Sequence, residues 1–278
     1  MKTIFVPVEL HSSIDSVLQT SLLLARRFGS HIEGAPLGPD LPDLVAFDMP
    51  VSWTVSDQNA WREIADEAHR KFETFMMENG VPQQEPHGGG QTPTCSWSGE
   101  NSLGDSQAAS LARAFDVSIM GRPGDDRGDP RMATAEAAIF ESGRPVLLAP
   151  PKPVEALGES IAISWNQSTE TARAVAFAMP LLMKAKSVYV LTIDNFMVEG
   201  PPGELLARTL RANGVPAEAV TRPNARTSGE AVLDQATKLG CDMLIKGAYT
   251  QSRLRQMIFG GATAHILAKA QMPVFMAN

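Results

Sequence analysis

Short apolar runs alternate with longer segments whose apolar residues recur every three or four positions, from the first residues of the chain to the last. Residues 3–8 form the first run. Residues 12–28 follow with Ile14, Val17, Leu18, Ser21, Ala25 and Phe28 on one helical face; Ser13 or Asp15 can cap this helix and Gly29 ends it. A second strand is predicted over 31–37. Residues 57–80 then predict a long helix with Ile64, Ala68, Phe72, Phe75 and Met76 on its buried stripe. Strands over 92–97, 117–120 and 146–149 and helices over 106–115 and 133–141 complete the first half. The second half predicts strands over 161–165, 188–193, 217–221, 243–246 and 273–276. Its helices fall over 168–183, 203–213 and 228–239, with a last one opened by Gly260 and Gly261 and carried on by Ala262, Ile266, Leu267 and Ala270. Apolar runs of this length suit parallel strands covered on both faces, and their alternation with helices predicts an α/β protein.

The two halves repeat one plan. Asp116-Val-Ser-Ile-Met-Gly121 matches Asp242-Met-Leu-Ile-Lys-Gly247, and Arg144-Pro-Val-Leu-Leu-Ala149 matches Met272-Pro-Val-Phe-Met-Ala277. The chain therefore reads as a first domain over 1–150, a Pro-containing linker over 151–157 and a second domain over 158–278. Residues 38–56 (GPDLPDLVAFDMPVSWTVS) interrupt the first. Leu44, Val45, Phe47 and Trp53 exceed what a connecting loop needs, which makes the insertion a candidate protein-partner surface.

Composition narrows the function. The 278 residues are 44% hydrophobic and 20% charged, with a net charge of −7, a balance that argues against nucleic acid or an anionic membrane as the main partner. No apolar run approaches the roughly 18 residues a membrane span requires, and the amino terminus lacks a signal pattern, so a cytoplasmic protein is expected. Cys95 and Cys241 have no metal-ligand spacing and read as small buried hydrophobes of a reducing compartment. Charge is unevenly spread: residues 1–150 hold 11 Lys and Arg against 21 Asp and Glu, whereas 151–278 hold 13 against 10, with no acid from 243 onward. A polyanionic ligand would prefer the second half.

The best candidate site is there. Lys246, Arg253 and Arg255 precede Gly260 and Gly261, and glycines at a helix start let an anion approach free N–H groups. The spacing of Gly247, Thr250, Gly260 and Gly261 resembles the nucleotide loop of the universal stress protein family, G-x2-G-x9-G-[S/T]. Thr250 stands in place of that loop's second glycine and Gly261 in place of its hydroxyl residue. The resemblance covers nearly the whole chain apart from 38–56. It implies two tandem flavodoxin-like domains, each a five-stranded parallel sheet of order 3-2-1-4-5 with helices on both faces, arranged as an internal pseudo-dimer that can pair further as a homodimer. It also implies a stress-response regulator binding ATP or AMP, with or without Mg, at Asn166, Ser168, Lys246, Gly247, Thr250, Arg253, Gly260, Gly261 and Ala262. In a sheet of that order the crevice lies beyond strands one and four, which sets Asn166–Ser168 beside 246–261.

The residues leave alternatives open. Ser168 can serve as a helix cap alone, and Gly247, Gly260 and Gly261 as tight turns alone. The first half keeps Gly121 and Gly124 but lacks the glycine that opens the next helix, and its loop mixes Asp125, Asp126 and Asp129 with Arg122, Arg127 and Arg131. No hydrolase, P-loop or zinc-enzyme motif occurs and no catalytic or metal-ligating residue is assigned. A non-enzymatic role is expected, with a partner-binding protein whose pockets are vestigial and cofactor-free as the rival and a slow ATPase as the remote third reading.

Overall fold

The computed structural model describes residues 1–38, 55–86, 90–124, 126, 128–193, 197–223, 228–248 and 262–278, the side chains of 55–61, 228 and 262 apart. Most of the 38–56 insertion, including Leu44, Val45, Phe47 and Trp53, lies outside the described residues, as do the glycine-bearing loop residues 249–261. The chain divides into two compact units, Met1–Arg144 and Pro145–Asn278.

The first unit runs β1 (Thr3–Val8), α1 (Ile14–Phe28), β2 (His31–Pro36), α2 (Val55–Glu78), β3 (Thr94–Trp97), α3 (Asp105–Ala112), β4 (Val117–Gly121) and α4 (Met132–Glu141). Its strands stand in the order β3-β2-β1-β4 and all pair in parallel, with Thr3 opposite His31, Ile4 opposite Val117 and His31 opposite Thr94. Lys71 of α2 pairs with Asp15 of α1, and α3 packs against α4, the arrangement that right-handed crossovers to opposite faces produce. Gly29 ends α1 in the left-handed conformation and donates its N–H to Ala25. Ser13 holds the N-cap position of α1, but its hydroxyl lies 3.2 Å from His11 Nδ1 and makes no capping bond.

The second unit contains β5 (Val146–Ala149), β6 (Ser160–Ser164), α5 (Thr169–Leu182), β7 (Ser187–Ile193), α6 (Gly203–Ala212), β8 (Ala217–Arg222), α7 (Ser228–Lys238), β9 (Met243–Gly247), α8 (Ala262–Lys269) and β10 (Val274–Ala277). Strands β8-β7-β6-β9-β10 are parallel and reproduce the expected order 3-2-1-4-5. Strand β5 joins them antiparallel to β10, Leu148 facing Val274 and Val146 facing Met276. Among the described residues no helix is long and apolar enough to cross a membrane.

The internal repeat has a physical cause that the motif only hinted at. Asp116, just before β4, accepts hydrogen bonds from the backbone N–H groups of Lys2 and Thr3. Asp242, just before β9, accepts from Gly158, Glu159 and Ser160. Each aspartate thus ties the entry of the fourth strand of its repeat to the entry of the first. Burial alone would raise the Asp116 carboxyl; the two N–H bonds together with the charges of the amino terminus and Arg144 outweigh it and hold the group below its ordinary value.

The first unit's edge is closely packed. A Cβ at Gly34 of β2 would come within 2.8 Å of ring carbons of both Phe72 and Trp97. Gly34→Ala is therefore expected to destabilise the first unit by about 1–3 kcal/mol, read as a lower urea midpoint. An unchanged midpoint would mean that the two rings give way freely.

Candidate functional site

In the second unit, β6 and β9 lie side by side, with Ser164 opposite Lys246. Beyond Ser164 the chain turns through Trp165, Asn166 and Gln167 into α5. Gln167 has φ +69°, the left-handed conformation a side chain rarely adopts, which costs about 1–3 kcal/mol. This turn directs Asn166 back onto the helix start. Asn166 Oδ1 accepts from Thr171 Oγ1 at 2.6 Å and from Ser168 N at 3.3 Å, while Ser168 Oγ accepts from Thr171 N at 3.2 Å. Ser168 is thus the N-cap of α5, buried and engaged with the helix start, so the capping alternative describes its geometry.

Gly247 is required by close approach. A Cβ there would overlap the backbone nitrogen of Thr171 and sit 2.7 Å from the carbonyl carbon of Glu170. The end of β9 is therefore pressed against the first turn of α5, which sets Lys246 and Gly247 beside the helix start that Asn166 and Ser168 engage.

Lys246 is the unusual member. It is 5% exposed, and its ammonium donates to Gly247 O at 2.9 Å and Thr263 Oγ1 at 2.8 Å. Thr263 is the second residue of α8, so the charge is held against that helix's first turn, where the aligned peptide dipoles are also positive. Burial pulls the amine down to about 8, and Glu170 offsets only part of that effect. Thr250, Arg253, Gly260 and Gly261 lie outside the described residues, and Ala262 is placed as the first residue of α8.

The corresponding crevice of the first unit is filled. Arg131, the N-cap of α4, donates from Nε to Glu9 Oε1 at 2.5 Å, from Nη1 to Asp105 Oδ2 at 3.0 Å and from Nη2 to Gly38 O at 3.0 Å. Thr134 Oγ1 donates to Asp105 Oδ1 at 2.7 Å. Burial pushes the Glu9 carboxyl up against the pull of Arg131. His11 is held to about 4 by burial and is therefore neutral at physiological pH. The space left among Glu9, His11, Gly121 and Arg131 measures about 10 Å³, room for about one water. Sequence reasoning missed this ion-pair network, because Arg131 reads there as one of three arginines mixed with aspartates in a loop. Cys95 and Cys241 are free and buried, and burial raises both thiols, Cys95 to about 11, so neither presents a reactive thiolate.

Comparison with solved structures identifies the fold. A universal stress protein from Archaeoglobus fulgidus DSM 4304 superposes with TM-score 0.72 at 14% identity, covering 99% of this chain and 96% of that one. A functionally unknown protein from Pseudomonas aeruginosa PAO1 superposes with TM-score 0.53, also at 14% identity, covering 100% and 92%. The stress response protein NhaX of Bacillus subtilis (strain 168) is 32% identical over 49 residues, which is 18% of this chain and 30% of that relative. No family model matches the chain. At these identities the likeness to the solved structures is one of fold: the chain has the fold of universal stress proteins.

Proposed function

We propose that this chain is a universal stress protein that binds an adenine nucleotide, ATP or AMP, in its second unit, and that it regulates a stress response through the bound state rather than by turnover. The observation that carries the reading is the buried Lys246 ammonium set against the first turn of α8. Two sources of positive potential converge there, an arrangement that an anionic ligand would stabilise. The sequence of 249–261 adds Arg253, Arg255, Gly260 and Gly261 and no acid. Asn166 offers an amide to a ribose or base, and Ser168 keeps α5 capped. The first unit is poorly suited to the same task, because its crevice holds two carboxylates and a guanidinium that already pair.

The test begins with mass spectrometry of denatured protein for co-purified nucleotide, followed by calorimetric titration of ATP with Mg. One site per chain is expected. Lys246→Met should weaken it by about tenfold or more, the value of one charge-assisted hydrogen bond to phosphate. Absence of both heat and bound nucleotide would remove this reading and leave a partner-binding protein of the same fold.

A further inference from the structure

A second concavity lies in the first unit, away from the crevice at the strand ends. It is a cleft of about 440 Å³ between the carboxyl-terminal half of α2 and the outer edge of β3, a volume typical of small-molecule sites. Its floor is apolar, made by Phe72, Met76, Val81, Cys95 and Trp97, and Met77, 71% exposed, stands at its mouth. Gly80, beyond the end of α2, also lines it, with φ +69° and open space where a Cβ would lie.

The walls are preorganised. His69 stacks on Trp97 with ring centroids 4.7 Å apart and 12° between planes, and Phe72 meets the same indole at 5.4 Å. Trp97 Nε1 donates to Gly99 O, and Ser96 Oγ lies 2.8 Å from His31 Nε2. The edge of β3 is tied down at Cys95, whose N–H donates to Pro82 O and whose carbonyl accepts from Gln84 N. A ligand entering this cleft would have few side chains to order, which favours binding.

Charge selects the ligand. Glu73 stands at the rim, close enough to Cys95 to act on its thiol, and among the described residues the lining holds no Lys or Arg. Across the His69–Trp97 stack lies a second hollow whose rim carries Asp66 and Glu100 against Arg62. The first half of the chain has 21 acidic against 11 basic residues, so the wider field is negative as well. Indole and phenyl faces attract cations, and thioethers adapt to an apolar body of varied shape. An anion such as a nucleotide is disfavoured on every count.

We propose that the cleft between α2 and β3 is a binding site for a small amphiphilic cation, an aromatic or branched apolar body carrying an amine, with its body on Phe72, Met76 and Trp97 and its charge at Glu73. The site is independent of the nucleotide reading, since it shares no residue and has the opposite charge preference.

The test uses two probes of one ring system, 2-naphthylmethylammonium and 2-naphthoate, titrated into the 15N-labelled full chain. The ammonium is expected to shift the amides of Val81 and Cys95 and the indole N–H of Trp97, and to bind about tenfold or more tighter than the carboxylate. Glu73 is exposed on a helix, so its variants fold. Glu73→Gln should weaken the ammonium by about fivefold, and Glu73→Lys should reverse the order of the two probes. Shifts confined to other residues, or a preference that neither variant alters, would overturn the proposal.

Discussion

Lys246→Met is expected to make the ligand-free protein more stable while weakening its nucleotide site. The folded protein holds this amine near 8 against an ordinary 10.5, so at neutral pH burying the charge costs about 3 kcal/mol. The substitution forfeits the hydrogen bonds to Gly247 O and Thr263 Oγ1, about 1 kcal/mol together once water competition is counted. Methionine keeps most of the stem's packing. The net gain is roughly 2 kcal/mol, a rise in melting temperature on the order of 5 °C. Between pH 8 and 10.5 the unfolded chain keeps the proton that the folded protein has given up, so wild-type stability rises across that window and the advantage of the variant shrinks. Denaturation midpoints at pH 7, 9 and 10.5 measure this directly. A variant less stable than wild type at pH 7, with the same pH profile, would show that the ammonium is solvated in the folded state. In wild type, an anion at Lys246 should draw the amine back toward its ordinary range. Nucleotide binding at pH 9 is therefore expected to take up protons, visible as a dependence of the binding heat on the buffer's ionisation enthalpy.

That trade between stability and binding could not be read from the sequence, although Lys246 itself could. Periodicity located every strand and helix among the described residues to within a few positions, because the inner strands are mostly apolar runs and the helices carry clear stripes. The duplication was visible in Asp116–Gly121 and Asp242–Gly247 because the same aspartate performs the same backbone tie twice. Gly247 reads in the sequence as a nucleotide-loop glycine or a tight turn, whereas the structure shows that the backbone of α5 leaves no room for a side chain there. Long-range side-chain choices were not legible. Ser168 satisfies both a phosphate donor and an N-cap on paper, and only the position of Thr171 decides in favour of the cap. The cleft beside β3 joins residues from 69 to 97 whose separate patterns, a buried helical stripe and a weak strand, suggested ordinary core. The partner of Glu9 lies 122 residues away, at a distance in sequence where no local pattern operates.

Arg131→Met is the substitution expected to do most damage. The guanidinium neutralises Asp105, whose side chain is 5% exposed, and Glu9, at 18%, and it also binds Gly38 O. Removing one member of a buried charge network leaves its partners uncompensated, a loss of about 3–5 kcal/mol in the unfolding free energy. The effect should depend on pH in a defined direction. Burial already raises the Glu9 carboxyl with Arg131 present, and without the guanidinium it will rise further. Above the unfolded value of 4.5 the folded variant then binds more protons than the unfolded chain, so stability falls as pH rises through the raised folded value and recovers on acidification from pH 7 toward 5. Adding Glu9→Gln and Asp105→Asn should restore much of the loss, since the triple variant buries no unpaired charge. A single variant that loses under about 1 kcal/mol at every pH would mean the three side chains pair only as solvated surface groups do. Emptying the guanidinium from this crevice should not create a second nucleotide site. Glu9 and Asp105 would then face a phosphate with no intervening cation, and the binding stoichiometry should remain one per chain.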